Sequence, residues 1–297
     1  MTGSKDQAYA PGHHPSQIKH HEWRTAENSA AHLIPHLQRL GRERPHLRVL
    51  DVGCGPGTIT VSLARYLPPG GTILGTDISD EVLARAQEHA AAAAAATAAQ
   101  GPEEEGAGRV LSIAFQRASV YELPFPDGSF DVVHAHQVLC HLAAPVDAVR
   151  EMARVCKPDG GVVALRESDM RMWCVWPPLD GLLHRFHRLM VDVLVANGGQ
   201  AEGGRRLLSW VLEAGAERED VDVSFGTWCF STPDDRRVWG GSMIDRLRTG
   251  QMRDKGIELG IVTEEDIEEM IKAWERWIEA DDATLGIMNG EVIWRKK

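Results

Sequence analysis

The chain has 297 residues, 43% apolar and 25% charged, the composition of a folded globule large enough to bury a core. A formal net charge of −11 offers no basic stripe to neutralise phosphates, so no nucleic-acid partner is expected. No apolar signal core opens the chain, no run approaches the ~20 residues of a membrane span, and the five cysteines form no C-x-x-C pair; a cytoplasmic protein with no metal and no membrane partner is the expectation.

Residues 1–46 precede the first strand, and Met1 to Pro11 is small and polar. Ala26, Ala30, Leu33, Ile34, Leu37 and Leu40 recur at helical spacing, with Thr25 placed to cap the helix and Gly41 to end it. His13, His14, His20 and His21 are spaced too loosely for a metal and read as solvated or capping side chains.

A strand over 48–53 then runs into Gly53-Cys54-Gly55-Pro56-Gly57-Thr58. Alternating glycines leave the backbone bare for a ligand where a buried parallel strand turns into a helix. A dinucleotide turn wants its third glycine where this chain has Thr58, and Asp51 would oppose a pyrophosphate at the helix N-terminus. An acid there suits a ligand with an ammonium or sulfonium, and S-adenosylmethionine carries both. After a helix over 57–67, a strand over 72–77 ends in Asp77, placed to accept hydrogen bonds from a ribose diol. That feature by itself indicates only an adenosine ligand.

The pattern continues with a helix over 79–98, lengthened by an alanine run, and an exposed loop at Gly101–Gly106. Strands over 110–116 and 130–135, a helix over 145–156 and a strand over 161–167 follow. Such alternation predicts an α/β fold, a doubly wound parallel sheet with right-handed crossovers. Beyond it, Pro177-Pro178 opens an amphipathic helix closed at Asn197-Gly198-Gly199, and another helix covers 203–214. Strand-like residues at 221–230, helices near 233–249 and 263–279, and a final strand pair turning at Asn289-Gly290 complete the chain. Six of the nine tryptophans fall between residues 170 and 275, which suits either core packing or an aromatic substrate pocket. His184 and His187 share a helix face but lack a third ligand.

Four blocks in order carry a family resemblance: the glycine turn, Asp77, Leu123-Pro124-Phe125-Pro126-Asp127-Gly128-Ser129-Phe130-Asp131-Val132-Val133, and Arg154-Val155-Cys156-Lys157-Pro158-Asp159-Gly160-Gly161. Over residues 47–168 the chain resembles the class I S-adenosylmethionine-dependent methyltransferases, most closely the ubiquinone/menaquinone-biosynthesis-like group. The resemblance implies a Rossmann-like seven-stranded sheet with strand seven antiparallel. It also implies an N-terminal lid (1–46, with Tyr9, His14, Trp23 and Arg24 as candidates), a cofactor-binding core (47–168), and a substrate cap with completing strands of the same domain (169–297). The cap helices are expected at 169–199 and 232–281.

On the same resemblance, the cofactor is S-adenosylmethionine. Its expected wall is Asp51, Gly53, Gly55, Gly57, Thr58, Asp77, Ile78, Ser119, Val120, His136 and Gln137. Ala118-Ser119 stands where the family commonly has glycine and aspartate beside the adenine, leaving Ser119 and the Val120 backbone for that ring. His136 and Gln137 fall where the family's chain passes the methyl group. His141, His136 and Glu167 are the candidate catalytic residues: a histidine or carboxylate beside a methyl donor can accept a proton from a hydroxyl, amine or thiol. The expected activity is methyl transfer to an O, N, S or C nucleophile of a small aromatic or apolar molecule, in a monomer or homodimer. The alternative is a cofactor-binding protein of the same fold with a cyclase-type or silent role.

Overall fold

A computed structural model describes residues 21–99 and 112–297. Short apolar runs form a seven-stranded sheet: β1 (Arg48–Val52), β2 (Thr72–Asp77), β3 (Ser112–Arg117), β4 (Val132–His136), β5 (Val162–Trp176), β6 (Val221–Phe230) and β7 (Thr284–Arg295). Their spatial order is β3-β2-β1-β4-β5-β7-β6, and β7 runs antiparallel to both of its neighbours. All five residues of β4 are buried because helices cover both faces of the sheet.

The helices are α1 (Ala26–Ser29), α2 (Ile34–Glu43), α3 (Thr58–Leu63), α4 (Asp80–Ala99), α5 (Pro145–Val155), α6 (Leu182–Ala196), α7 (Gly203–Glu213), α8 (Pro233–Arg248), α9 (Gln251–Glu258) and α10 (Glu264–Glu279). One face of the sheet packs Val133, Leu165 and Trp294 against Met152 and Trp210. The other packs Val49, Val132 and Ile293 against Leu33, Leu37 and Leu63. A further core, built on Phe186, Trp274 and Trp277, joins α6, α8 and α10 beyond the ends of β5, β6 and β7. No helix of the described residues is long and apolar enough to cross a membrane.

Several expectations need correction. Gly41 does not end its helix: α2 continues to Glu43, and Thr25 caps the separate short helix α1 through a capping box. The region after 168 opens as strand: β5 continues to Trp176, with a register shift between Ser168 and Trp173, and the first cap helix begins only at Leu182. Buried Asp169 at that shift is paired to Arg205 of α7, which helps hold the strand past its bulge.

Asn289-Gly290 makes no turn, because β7 is flanked by strands on both sides and runs straight through. Asn289 accepts a hydrogen bond from Ser168 Oγ at 2.6 Å, and Gly290 lets α7 approach: a Cβ there would lie 1.9 Å from the Gly204 carbonyl oxygen. The expected lid residues Tyr9 and His14, the histidines at 13 and 20, and the loop at 101–106 lie outside the described residues.

Candidate active site

β1 and β4 are neighbours in the sheet, but the chain leaves them in opposite directions, toward β2 and toward β5. A crevice opens at the carboxyl ends of strands at such a switch point. The three turn glycines meet it with positive φ, +64° at Gly53, +55° at Gly55 and +76° at Gly57. An added Cβ would lie 2.5 Å from Val138 Cγ2 at Gly53 and 2.7 Å from Ala86 Cβ at Gly57, whereas at Gly55 it would meet nothing within 4 Å. Gly53 and Gly57 therefore serve close packing, and Gly55 leaves backbone open to the crevice.

Two carboxylates hold this turn. Asp77 Oδ2 accepts the Gly55 N–H at 3.1 Å, and Oδ1 accepts the Ser79 N–H at 3.2 Å. Asp51, 2% exposed, has one oxygen 2.8 Å from His134 Nδ1 on β4 and accepts the Thr60 hydroxyl of α3 with the other. Asp51 therefore orders the floor by tying β1 to β4 and to α3. His134 is fully buried.

The cavity above the turn is lined by Asp51, Gly53, Gly55, Thr58, Asp77, Ile78, Val120, His136, Gln137 and His141 among the expected residues, and also by Ala118. Two of the expected wall residues sit elsewhere. Gly57 caps the start of α3, and Ser119 turns its Oγ to the Tyr121 N–H at 3.2 Å while its neighbours Ala118 and Val120 face the cavity.

A second cavity adjoins the first through four residues they share, His21, Arg24, Gln137 and His141. Its walls are mostly apolar: Met170 from β5, Met190, Val193 and Leu194 from α6, Trp228 from β6, Trp239 and Met243 from α8, Met252 and Ile287. Trp228 and Trp239 thus serve both as core and as cavity wall, while Trp210, Trp274 and Trp277 are core alone. Trp23 packs edge-on against Trp228 with ring centroids 5.0 Å apart.

Gln137 sits at the junction with φ +53°, a conformation costly for a side chain with a Cβ. Three partners over-determine it. Its N–H donates to the Arg166 carbonyl at 2.8 Å, its Oε1 accepts from Arg24 Nη2 at 2.7 Å, and its amide nitrogen reaches Ser168 Oγ. The Arg24 guanidinium also lies 5.2 Å from the Trp228 ring centroid, a cation–π distance.

The histidines around the junction are held neutral. Burial, then the charges of Arg24 and Arg246, pushes His141 down to about 4. Burial followed by the same two guanidiniums holds His21 well below the usual imidazole value. For His136 burial leads and Arg24 and Arg166 add to it. His21, read from the sequence as solvated or capping, therefore belongs to the cavity walls; its place in a loose run of histidines gave no periodicity to reveal this.

Glu167 requires the main correction. It was expected to face the substrate, yet it is fully buried and lines neither cavity. Its carboxylate accepts the main-chain N–H groups of Val138 and Leu139 at 2.9 and 2.8 Å and of Cys140 at 3.2 Å. Burial outweighs these bonds and pushes its carboxyl up to about 6. Glu167 braces the turn that carries His141; it is a positioning residue. His187, the other weak ligand candidate on α6, is taken up by the Met170 carbonyl at 2.5 Å.

Residues 50–164 match the family described as "Methyltransferase domain". Over its whole length the chain is 32% identical to the whole of a Schizosaccharomyces pombe protein named "Uncharacterized methyltransferase C1B3.06c". It is 30% identical to "Probable methyltransferase ltbC" of Aspergillus luteorubrus, across 96% of each chain. Among solved structures, it shares its fold with the phosphoethanolamine N-methyltransferase 2 of Haemonchus contortus in complex with phosphomonomethylethanolamine and S-adenosylhomocysteine, at TM-score 0.51 and 18% identity, over 95% of this chain and 58% of that one. The glycine turn and the seven-stranded order with its antiparallel β7 agree with these matches, and the chain belongs to the methyltransferase-domain family as a class I, S-adenosylmethionine-dependent methyltransferase.

Proposed function

We propose that the first cavity holds S-adenosylmethionine, that the second holds a small, largely apolar acceptor, and that the methyl group passes between them at the wall formed by His21, Arg24, Gln137 and His141. The observation that carries this reading is the shared wall itself, which brings two cavities of different character together at a few side chains. The residues present fit the cofactor. The Gly55 backbone is open to it, Asp77 stands at the second strand end where a ribose would lie, and Ala118 and Val120 offer an apolar bed with main-chain groups for an adenine. When bound, the cofactor supplies a methyl group already activated on a sulfonium.

Such chemistry asks the protein mainly to align two reactants and exclude water. Gln137, locked by three partners, and the turn braced by Glu167 supply the rigid part of that alignment. Arg24 lines both cavities, which supports the role expected of the N-terminal segment as a lid over the cofactor, while Trp23 packs against Trp228 and lines neither. His141 and His136 are neutral at pH 7, so each can accept a hydrogen bond; His141, held near 4, is a weak base and serves better to orient an acceptor than to deprotonate one.

Calorimetric titration with S-adenosylmethionine and S-adenosylhomocysteine tests the first half. Both are expected to bind, and Asp77→Ala is expected to weaken binding by about tenfold or more, the worth of a hydrogen bond to a charged group. Absence of binding to the wild type would remove the reading.

A further inference from the structure

Gln137 belongs to a chain of hydrogen bonds in which each link has one possible direction. Asn289 of β7, fully buried, is paired across the sheet with Ser168 of β5. One end of its amide lies 3.1 Å from the Ile287 carbonyl oxygen, which only accepts, so that end is Nδ2. The other end, Oδ1, also only accepts, and the Ser168 hydroxyl gives it its single proton at 2.6 Å. Ser168 Oγ is then left with lone pairs alone, so Gln137 must face it with Nε2. At the far end the Arg24 guanidinium, which only donates, meets Gln137 Oε1 at 2.7 Å.

The consequence is a side-chain amide that cannot turn over. A half-turn of Gln137 would set Oε1 against a hydroxyl whose proton is committed, and Nε2 against a guanidinium. The backbone is fixed as well, at φ +53° with its N–H on the Arg166 carbonyl. Ser168 lines the second cavity and not the first, so the Nε2 end of the amide lies toward the second. Ser168 takes one of the two Nε2 hydrogens, and no described residue takes the other. The wall shared by the cavities therefore presents a donor of fixed polarity.

We infer that Gln137 Nε2 seats the methyl acceptor, which carries a hydrogen-bond-accepting oxygen, such as a carbonyl or an ether, beside the atom that receives the methyl group; Ser168 and Asn289 are positioning residues that fix this polarity. This rests on the reading of the second cavity as the acceptor site. Trp228 and Trp239 supply ring faces for the apolar body, and the N–H holds the molecule at a second point, which sets the angle that in-line transfer requires. A molecule of the same shape without the oxygen buries that N–H with no partner and is discriminated against on that account.

A pair of isosteres tests the inference without knowledge of the natural acceptor. 2-Acetylnaphthalene and 2-isopropenylnaphthalene share one outline and differ by a carbonyl oxygen in place of a methylene. Their affinities are measured by calorimetry on the full-length protein, with and without saturating S-adenosylhomocysteine. The Gln137 side-chain amide is followed by NMR in protein labelled with nitrogen-15 glutamine, its resonance assigned by its loss in Gln137→Met. The ketone is expected to bind about five- to tenfold tighter than the alkene, the worth of a neutral hydrogen bond. It should also shift a Gln137 Nε2 proton that the alkene leaves in place. Ser168→Ala should erase the preference, and Ser168→Thr, which keeps the hydroxyl, should retain it. Asn289→Ala releases the Ser168 proton, lets the amide turn over, and should weaken the preference.

Equal affinity for the two probes, or no binding of either, overturns the inference. So does a preference that survives Ser168→Ala or Asn289→Ala, or a Gln137 amide proton that the ketone does not move. The wild-type affinities decide even if a variant fails to fold. If S-adenosylhomocysteine itself does not bind, the cofactor reading has failed, and the ketone preference measured in its absence still decides this one.

Discussion

Glu167 Oε1 accepts the main-chain N–H of Leu139 at 2.8 Å, joining β5 to the turn that follows β4. The same carboxylate takes the N–H groups of Val138 and Cys140, so one buried side chain satisfies three consecutive donors. Glu167→Ala leaves these donors without an acceptor and is expected to cost about 3 kcal/mol or more of stability, at about 1–3 kcal/mol per orphaned buried group. Glu167→Gln should cost less and weaken S-adenosylhomocysteine binding through the displaced turn. Chemical denaturation and calorimetry check both. Unchanged stability and binding, with methyl transfer alone abolished, would instead place Glu167 in the chemistry.

The turn glycines separate folding from binding. All three have positive φ, which costs a non-glycine residue roughly 1–2 kcal/mol. Gly55→Ala adds a methyl that meets no protein atom within 4 Å, so it should lose only about that much stability while lowering cofactor affinity. Gly57→Ala places its methyl 2.7 Å from Ala86 Cβ and should destabilise further, by packing strain added to the backbone cost. Parallel denaturation and binding curves for the two variants check the contrast.

Acid should unfold this protein through its buried histidines. His32 is pushed down to about 3 and His141 to about 4, from an ordinary value of 6.5. A group whose folded pKa is depressed contributes stability that is complete above the unfolded value and lost as pH falls toward the folded one. The window here runs from pH 6.5 down to about 4 for His141 and about 3 for His32, worth on the order of 3 and 5 kcal/mol respectively. Neither ring nitrogen of His32 has a hydrogen-bond partner in the structure. His32→Phe should therefore raise stability at pH 5 relative to the wild type by about 2 kcal/mol more than it does at pH 8. Denaturation curves at the two pH values check it, and an equal change at both would refute the assignment.

Gly290→Ala tests the packing of α7 on β7. The new Cβ would sit 1.9 Å from the Gly204 carbonyl oxygen, in a backbone-to-backbone contact that no side-chain rotation relieves. We expect a loss of about 3 kcal/mol or more, or failure to fold, read from the thermal midpoint or soluble yield. A variant as stable as the wild type would mean that α7 does not lie where it is described.

Local chemistry made much of the cofactor half legible in the sequence. Periodicity placed β1, β2 and β4 to within a residue or two, because buried parallel strands are continuous apolar runs ended by polar or glycine residues. Three alternating glycines and two strand-end aspartates mark a ligand turn because each is a backbone requirement, readable without knowing what packs nearby. Asp77 and Gly55 stand together at the cavity as that pattern implied.

Tertiary structure decided the rest. Whether Glu167 faced a substrate or a backbone depended on how the residues after β4 fold back over β5. Asn289-Gly290 has the composition of a turn, but strands on both sides and a close helix hold it extended. His21 and Arg24 become cavity walls, and Arg246 joins them from more than 200 residues away in sequence, only when the N-terminal segment and α8 converge on Gln137. The sequence by itself indicated the family, through four blocks in order that resemble it, and the parallel strands and the turn, since these rest on local backbone preferences and apolar periodicity. The tertiary structure alone decided the walls of the second cavity, because its lining comes from side chains that are distant along the chain.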